Sequence, residues 1–565
     1  MRPGDIAARC SGLAGDVLRA GGARPSWLPG RRRLRGDRPA SPIPVTCATQ
    51  PVVWPNRPAA AYVMHSMKTG PAVTLLVITA ALLSACSIAP SLPGTPAPAV
   101  HPPAPSHPDA IRTVTPTWIS GLRIVSDNSD SASCPWAVGY PAVPGADELT
   151  TALRDKTESR VKTFLESQGG AQDAECSTED VPELNISFQF LAAAGDVVGV
   201  ELTTLDRTAA GDGTSVATYW YDTRTRKSVS TSALIADAAS GEFDAALTKA
   251  LSSREGADPD TLKAALAPEY RASTISNLAF TEGGDLVAEF DQGTVAVVPA
   301  GRQKVVIPKV QAESLLSDFG RRAEQQALQP GNKLDLGGAP APAPPTTNAA
   351  APPPAGPAVD CLQVKCVALT FDDGPGPDTA KLLDTLARFD AHATFFVVGQ
   401  NATYNADLIR KEAAAGHEIG NHSWNHPDLR KLSPDQIHDQ IGRTDRAVTD
   451  AIGHPPTVIR PPYGAINDDV RAAADRPMIL WSVDTLDWKF HDSAKVARTV
   501  LDKTKPGDIV LLHDIHPTSV DAVPDILTGL KEQGYTFVTV SQLFGGSHLT
   551  PGKAYGDNDK AFGRS

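Results

Sequence analysis

Five short stretches in the C-terminal third of the chain carry side chains that could do chemistry together. Asp372 and Asp373 lie in Thr370-Phe371-Asp372-Asp373-Gly374. Adjacent carboxylates repel when both are ionised, so such a pair usually meets a cation, such as a metal on one and an arginine on the other. In Asn421-His422-Ser423-Trp424-Asn425-His426, two imidazoles stand at i and i+4. On a helical turn that spacing puts both on one face, where they can grip one ion. Arg460-Pro461-Pro462-Tyr463-Gly464 offers a guanidinium on a proline-fixed loop, suited to holding a carboxylate. Asp484-Thr485-Leu486-Asp487-Trp488 and Leu511-Leu512-His513-Asp514 complete the set. Each has a plainer reading by itself: a solvated turn, a surface histidine pair, an ordinary loop, a capped turn over a core tryptophan, a satisfied core histidine. Their joint placement decides between the two.

Apolar, strand-like runs precede the stretches: Val367–Phe371, Ala393–Val398, Glu418–Gly420, Val458–Arg460, Met478–Val483, Ile509–Leu512 and Phe537–Val540. Helical patterns alternate with them at Asp378–Phe389, Ala406–Ala415, Ser433–Ile452, Asp468–Ala474, Ser493–Lys503 and Val520–Gln533. This alternation predicts an α/β fold with a parallel sheet that can close into a barrel, where loops after the strands carry the chemistry. All five stretches fall just after a strand. Coincidence is a poor explanation of five such placements.

With these residues in view, 359–546 resembles the polysaccharide deacetylases of the NodB homology type, carbohydrate esterase family 4. Their five motifs, TFDDG, H-S/T-x-x-H, R-x-P-Y/F-G, D-x-x-D-W and L-x-H, occur here in order without departure. The resemblance implies a distorted, incomplete (β/α) barrel. It also implies Asp373, His422 and His426 as metal ligands, Asp372 as general base paired with Arg460, and His513 as general acid held by Asp487. The backbone N–H of Tyr463 would serve the oxyanion, and Trp488 and Leu511 would wall an acetyl pocket. One carboxylate and two imidazoles suit Zn²⁺, with Co²⁺, Mn²⁺ or Fe²⁺ as substitutes.

The rest of the chain divides by composition. Residues 1–66 are rich in Arg, Gly and Pro without periodicity and read as a spurious or disordered extension. Residues 67–86 read as a lipoprotein signal peptide: Met67-Lys68, an apolar run at 71–85, then Leu83-Ser84-Ala85-Cys86, which resembles a lipobox with Cys86 as the lipidated residue. Residues 87–110 and 329–358 are proline-rich tethers, and 547–565 reads as a tail. Residues 111–328 mix helical and strand patterns, including strands at Asn185–Leu191, Thr218–Asp222 and Val295–Val298. This α+β accessory domain loosely resembles one that precedes Gram-positive cell-wall deacetylases, which implies binding or spacing rather than catalysis. Trp220 within it reads as a core residue.

The formal charge of −12 becomes −20 once the +8 of residues 1–85 is removed, which disfavours nucleic acid as a partner. In an exported chain, the grouping of the cysteines suggests Cys134–Cys176 and Cys361–Cys366 disulfides. A lipid anchor with two tethers places the catalytic domain in the wall-facing space, with cell-wall glycan as its partner; the protein is expected to be a monomer. The expected activity is removal of N-acetyl groups from peptidoglycan. A chitin-oligosaccharide or exopolysaccharide deacetylase, an acetylxylan esterase, and a glycan- or lysozyme-binding lipoprotein with an idle barrel are the alternatives.

Overall fold

The computed structural model describes residues 110–556 apart from 117, 130, 169–180, 209–210, 255, 257, 335, 337–358 and 546–548. The expected signal segment, Cys86, nearly all of the first tether and Cys176 lie outside the described residues. No helix among the described residues is long and apolar enough to cross a membrane.

The first domain is built on a six-stranded sheet in chain order. Its strands are β1 (Arg123–Asn128), β2 (Trp136–Ala142), β3 (Glu183–Ala194), β4 (Val197–Thr208), β5 (Gly211–Asp222) and β6 (Lys227–Val229). β2 and β3 pair in parallel, which requires a crossover, and the helix Asp147–Ser167 lies between them in the chain. Leu149, Leu153 and Phe164 of that helix are buried against Leu184, Ile186 and Phe188 of β3. The other face of the sheet packs on the helices Ser240–Leu251 and Asp318–Leu328. A three-stranded antiparallel sheet lies on that side too: β7 (Leu278–Phe280), β8 (Leu286–Phe290) and β9 (Gln303–Ile307). Trp220 is buried there, with its indole N–H donating to Thr218 Oγ1 at 3.2 Å.

Two expectations for this region change. Val295–Val298 forms no strand. Val297 and Val298 face solvent, and Pro299 opens a short 3₁₀ turn at Val298–Ala300. The second tether also begins later than residue 329, because the Gly195 N–H donates to the Lys333 carbonyl at 2.6 Å and Leu334 bridges Gly195.

In the second domain, β10 (Lys365–Asp372) is the central strand. It pairs in parallel with β11 (Ala393–Val397), β15 (Ile509–His513) and, at its start, β16 (Tyr535–Phe537). β12 (Glu418–Asn421) extends the sheet beyond β11, and β14 (Val483–Asp484) extends it beyond β15. Ile459 bridges Asn421 on one side and Met478 of β13 (Met478–Ile479) on the other. The barrel wall is thus thin there: the expected strand 478–483 breaks into two pairs of residues, and 458–460 contributes a single bridging residue, Ile459. The expected tail also joins the wall, since β17 (Ala554–Tyr555) pairs with β13.

The predicted helices appear at Thr379–Arg388, Ala406–Ala414, Pro434–Ile452, Asp468–Ala474, Ser493–Lys503 and Pro517–Glu532. Pro434–Ile452 starts at a Ser433/Gln436 capping box and stops at Gly453 in the left-handed region. Leu382, Leu386, Ile526, Leu527 and Leu530 bury their side chains on Leu369, Phe371 and Phe395. Each such side chain contributes about 2 kcal/mol of transfer free energy. Cys361 and Cys366 are joined by a disulfide at the start of the domain. Cys134 is buried and disulfide-bonded.

Candidate active site

The ends of β10, β12 and β15 and the loop after Ile459 converge on one buried cluster. β10 delivers Asp372 as its last residue, and Asp373 follows with φ +72°. Ser423, His426, Tyr463 and Leu486 also hold positive φ, so the motif loops concentrate backbone strain. Strain of ~1–3 kcal/mol per residue persists only where the surroundings over-determine it. The turn after Asp373 is tight: a Cβ on Gly374 would run into the carboxylate of Asp514. Asp372, Asp373, His422, His426 and His513 are all at most 4% exposed.

Asp373 Oδ1 lies 3.5 Å from His422 Nε2 and 3.4 Å from His426 Nε2. One ligand atom from each of the three can be chosen so that all lie within 4.8 Å of one another. Asp373 Oδ1 and both ring nitrogens of His426 are buried without a hydrogen-bond partner among the described residues. Buried polar atoms left unpaired cost free energy, and a cation shared by them removes that cost. His422 Nδ1 sits 2.6 Å from the carbonyl oxygen of Arg460. Only a protonated Nδ1 can bond there, which leaves Nε2 as a lone-pair donor towards Asp373. Burial and the neighbouring His426 hold His422 well below the usual imidazole range, against the pull of that carbonyl, and so keep it neutral. The three residues therefore fit a divalent metal ion.

Arg460 is fully buried. One NH group donates to Asp372 Oδ1 at 2.7 Å and to Thr370 Oγ1 at 2.8 Å. The rest of the guanidinium donates to the carbonyls of Ile479 and Leu480, each at 3.0 Å, and its Cζ lies 4.2 Å from the Phe396 ring centre. Asp372 turns its other oxygen to within 3.7 Å of His422 Nε2.

On the opposite side, Asp487 Oδ1 lies 2.9 Å from His513 Nδ1. Its Oδ2 accepts from the His513 backbone N–H at 2.9 Å and from Ser519 Oγ at 2.5 Å. Burial opposes ionisation of Asp487, but the charge and hydrogen bond of His513, with His516 and Ser519, outweigh it and hold the carboxyl below its usual range. His513 Nε2 faces inward, 3.9 Å from Asp373 Oδ2.

Seven of the predicted residues thus assemble: Asp372, Asp373, His422, His426, Arg460, Asp487 and His513. Tyr463 packs edge-on against His426, with ring centres 4.6 Å apart. Leu511 is buried opposite Thr370 in the β10–β15 register, and Trp488 is half-buried. Neither Trp488 nor Leu511 lines the small cavity beside Asp373 and His426.

Four further residues were not singled out from sequence. Asn401 donates to the Asp373 carbonyl at 2.7 Å and fixes that strained turn. Asn421 Oδ1 accepts from the Ser423 N–H at 2.8 Å, closing the histidine loop. Asp514 is fully buried. Burial, opposed by a hydrogen bond from Thr379 and reinforced by the charge of Asp373, pushes its carboxyl up to about 7. Asp514 adjoins His513 in sequence, which was a usable signal. Asn128, from the first domain, donates through Nδ2 to Asp373 Oδ2. Nothing local in the sequence marks it.

A family profile described as polysaccharide deacetylase matches residues 360–477. The peptidoglycan-N-acetylglucosamine deacetylase PgdA of Listeria monocytogenes is 47% identical over 194 residues, covering 34% of this chain and 41% of that protein. The match thus spans well under half of that relative. The peptidoglycan-N-acetylmuramic acid deacetylase PdaC of Bacillus subtilis is 30% identical over 435 residues, covering 76% of this chain and 89% of that protein. A solved structure of the latter is 42% identical over 33% of this chain and 92% of the solved one, with a TM-score of 0.32. Matched along both domains by a relative whose length it nearly spans, the chain belongs to the polysaccharide deacetylase family.

Proposed function

We propose that this protein removes N-acetyl groups from the amino sugars of peptidoglycan in a metal-dependent hydrolysis. The observation that carries the reading is the buried triad of Asp373, His422 and His426, set between an Arg460-held carboxylate and an Asp487-held imidazole. A divalent cation held by the triad supplies Lewis acidity and an acidified water. Zinc suits the donor set best, and cobalt, manganese and iron are chemically compatible.

The residues divide the proton work. Asp372, oriented by Arg460, takes the proton of the attacking water. The backbone N–H of Tyr463 donates to the oxyanion that develops on the former carbonyl oxygen. His513, oriented by Asp487 through Nδ1, gives a proton from Nε2 to the departing nitrogen as the C–N bond breaks. The products are acetate and a free amino sugar. Trp488 and Leu511 are assigned to the acetyl side of the site.

The relative matched along both domains is named for N-acetylmuramic acid, while the Listeria relative, matched over 34% of the chain, is named for N-acetylglucosamine. Both sugars belong to the same polymer. That supports an extracytoplasmic chain whose partner is cell-wall glycan; the Leu83-Ser84-Ala85-Cys86 lipobox pattern is what supports anchoring through lipid on Cys86, and the protein is proposed to act as a monomer. Mass spectrometry of muropeptides after incubation with the zinc-loaded protein tests this. Loss of acetyl mass from either sugar, blocked by chelator, is expected. Unchanged muropeptides with acetate released from chitin oligomers or acetylated xylan would move the substrate elsewhere. No release from any of them would leave a glycan-binding protein.

A further inference from the structure

The catalytic cavity is closed by the first domain. Beside Asp373 and His426 there is about 30 Å³ of space, walled by Ser126, Asn128 and Ile186 on one side and Gln400 and Asn401 on the other. Pockets that take small-molecule ligands run from ~300 Å³ upward. A sugar ring with its acetamide does not enter this space.

The closure is specific. Asn128, 4% exposed, ends the edge strand β1 and donates its side-chain N–H to Asp373 Oδ2, the oxygen that also faces His513 Nε2. The acetamide of a substrate must reach the triad, and Asn128 lies against Asp373 in the cavity beside it. Its side chain is itself CH₂–CO–NH₂, an acetamide in all but its attachment. Its carbonyl oxygen Oδ1 is buried without a hydrogen-bond partner among the described residues, an oxygen donor beside the ligand triad.

Around this plug runs a seam of polar contacts flanking an aromatic contact, in which Tyr404 of the second domain packs on Phe188 and Phe190 of the first at 5.4 and 5.7 Å between ring centres. Gln400 donates to the Phe188 carbonyl at 2.6 Å, and Asn185 donates to the Asn425 carbonyl at 2.7 Å. Glu183, fully buried, accepts from the Asp428 N–H at 2.8 Å and lies 3.7 Å from Lys431 Nζ. With Tyr404 as its aromatic contact and polar groups elsewhere, the seam is of the kind that lets domains move apart.

We propose that the first domain stoppers the deacetylase site: the Asn128 carboxamide stands in for the substrate acetamide, and glycan gains access only when the domain is displaced. The proposal rests on the deacetylase reading above.

Two full-length variants test it, Asn128→Ala at the plug and Lys431→Glu at the seam, the second placing like charges beside Glu183. Two readouts are taken: acetate release from an N-acetylglucosamine tetramer, and the rate at which dipicolinate strips bound zinc. Losing the equivalent of one or two net hydrogen bonds favours the open form about tenfold. Both variants should therefore raise kcat/KM and speed zinc loss by about that factor. A fall in kcat/KM for Asn128→Ala, or no change in either rate for a folded Lys431→Glu, overturns the stopper. If no form releases acetate from any glycan, the deacetylase reading fails, and the zinc-loss rates still decide whether the first domain covers the site.

Discussion

The carbonyl oxygen of Arg460 receives the Nδ1–H of His422 at 2.6 Å, while the guanidinium of the same residue holds Asp372 at 2.7 Å. One residue thereby sets both the tautomer of a candidate metal ligand and the orientation of the candidate base. Arg460 also donates to Thr370, Ile479 and Leu480, so it ties β10 to the thin part of the barrel wall. Lysine cannot reproduce that fork. Arg460→Lys should lose about 3 kcal/mol of stability, since it breaks a buried ion pair. Chemical denaturation checks this, and a loss below about 1 kcal/mol, the range of an exposed pair, would contradict it.

Asp487 accepts from His513 twice, at Nδ1 and at the backbone N–H. Asp487→Asn keeps the shape but reverses which ring nitrogen carries the proton. Turnover should fall by about 10²–10⁴, the span of a general acid, with metal content unchanged. Steady-state kinetics with metal analysis on the same sample measures both.

Away from the site, His417 provides a pH signature of the fold. Burial, with a smaller effect of His392, lowers its pKa to about 4, and its Nδ1 accepts from the Ala393 N–H at 3.2 Å. Between that value and the unfolded value near 6.5, the unfolded chain binds the extra proton. The stability contributed by the neutral ring is therefore complete above about pH 6.5 and is lost as pH falls towards 4, by about 3 kcal/mol. Melting curves from pH 7 to 4 should show this slope, and His417→Gln, which keeps an acceptor, should flatten it.

Residues near the C-terminus act at a distance on the site. The Met478 N–H donates to the Lys553 carbonyl at 2.9 Å and the Leu480 N–H to the Tyr555 carbonyl at 2.7 Å, and the Leu480 carbonyl in turn receives Arg460. Ending the chain at Gly545 should cost about 2 kcal/mol for the two backbone bonds. It should also lower turnover more than substrate affinity, because Arg460 loses a fixed partner. Denaturation and kinetics of the truncated chain read both.

The barrel was legible because its strands are apolar runs buried on both faces and its reactive side chains all follow them. Pro434–Ile452 was legible to within a residue from its helical pattern. The break between β13 and β14 was not, since 478–483 reads as one continuous apolar run and only the long-range pairing divides it. Tyr555 reads as tail in the sequence because a two-residue strand has no period. Val295–Val298 misled in the other direction, with strand letters on an exposed turn. Within the site, the seven residues that assemble were legible from their places after strands, whereas Asn421 and Asp514 on the same loops were not singled out. Asn128 was not, because it stands 245 residues from Asp373 and meets it only through the packing of two domains.

The proposed chemistry requires Asp373 to bind the ion while its neighbour Asp372 does not. Zinc stoichiometry of purified Asp373→Ala and Asp372→Asn, measured beside acetate release, tests this most directly. The expected result is metal and activity lost together in Asp373→Ala, and full metal with activity lost in Asp372→Asn. Full zinc occupancy in Asp373→Ala, or normal turnover in Asp372→Asn, would contradict it.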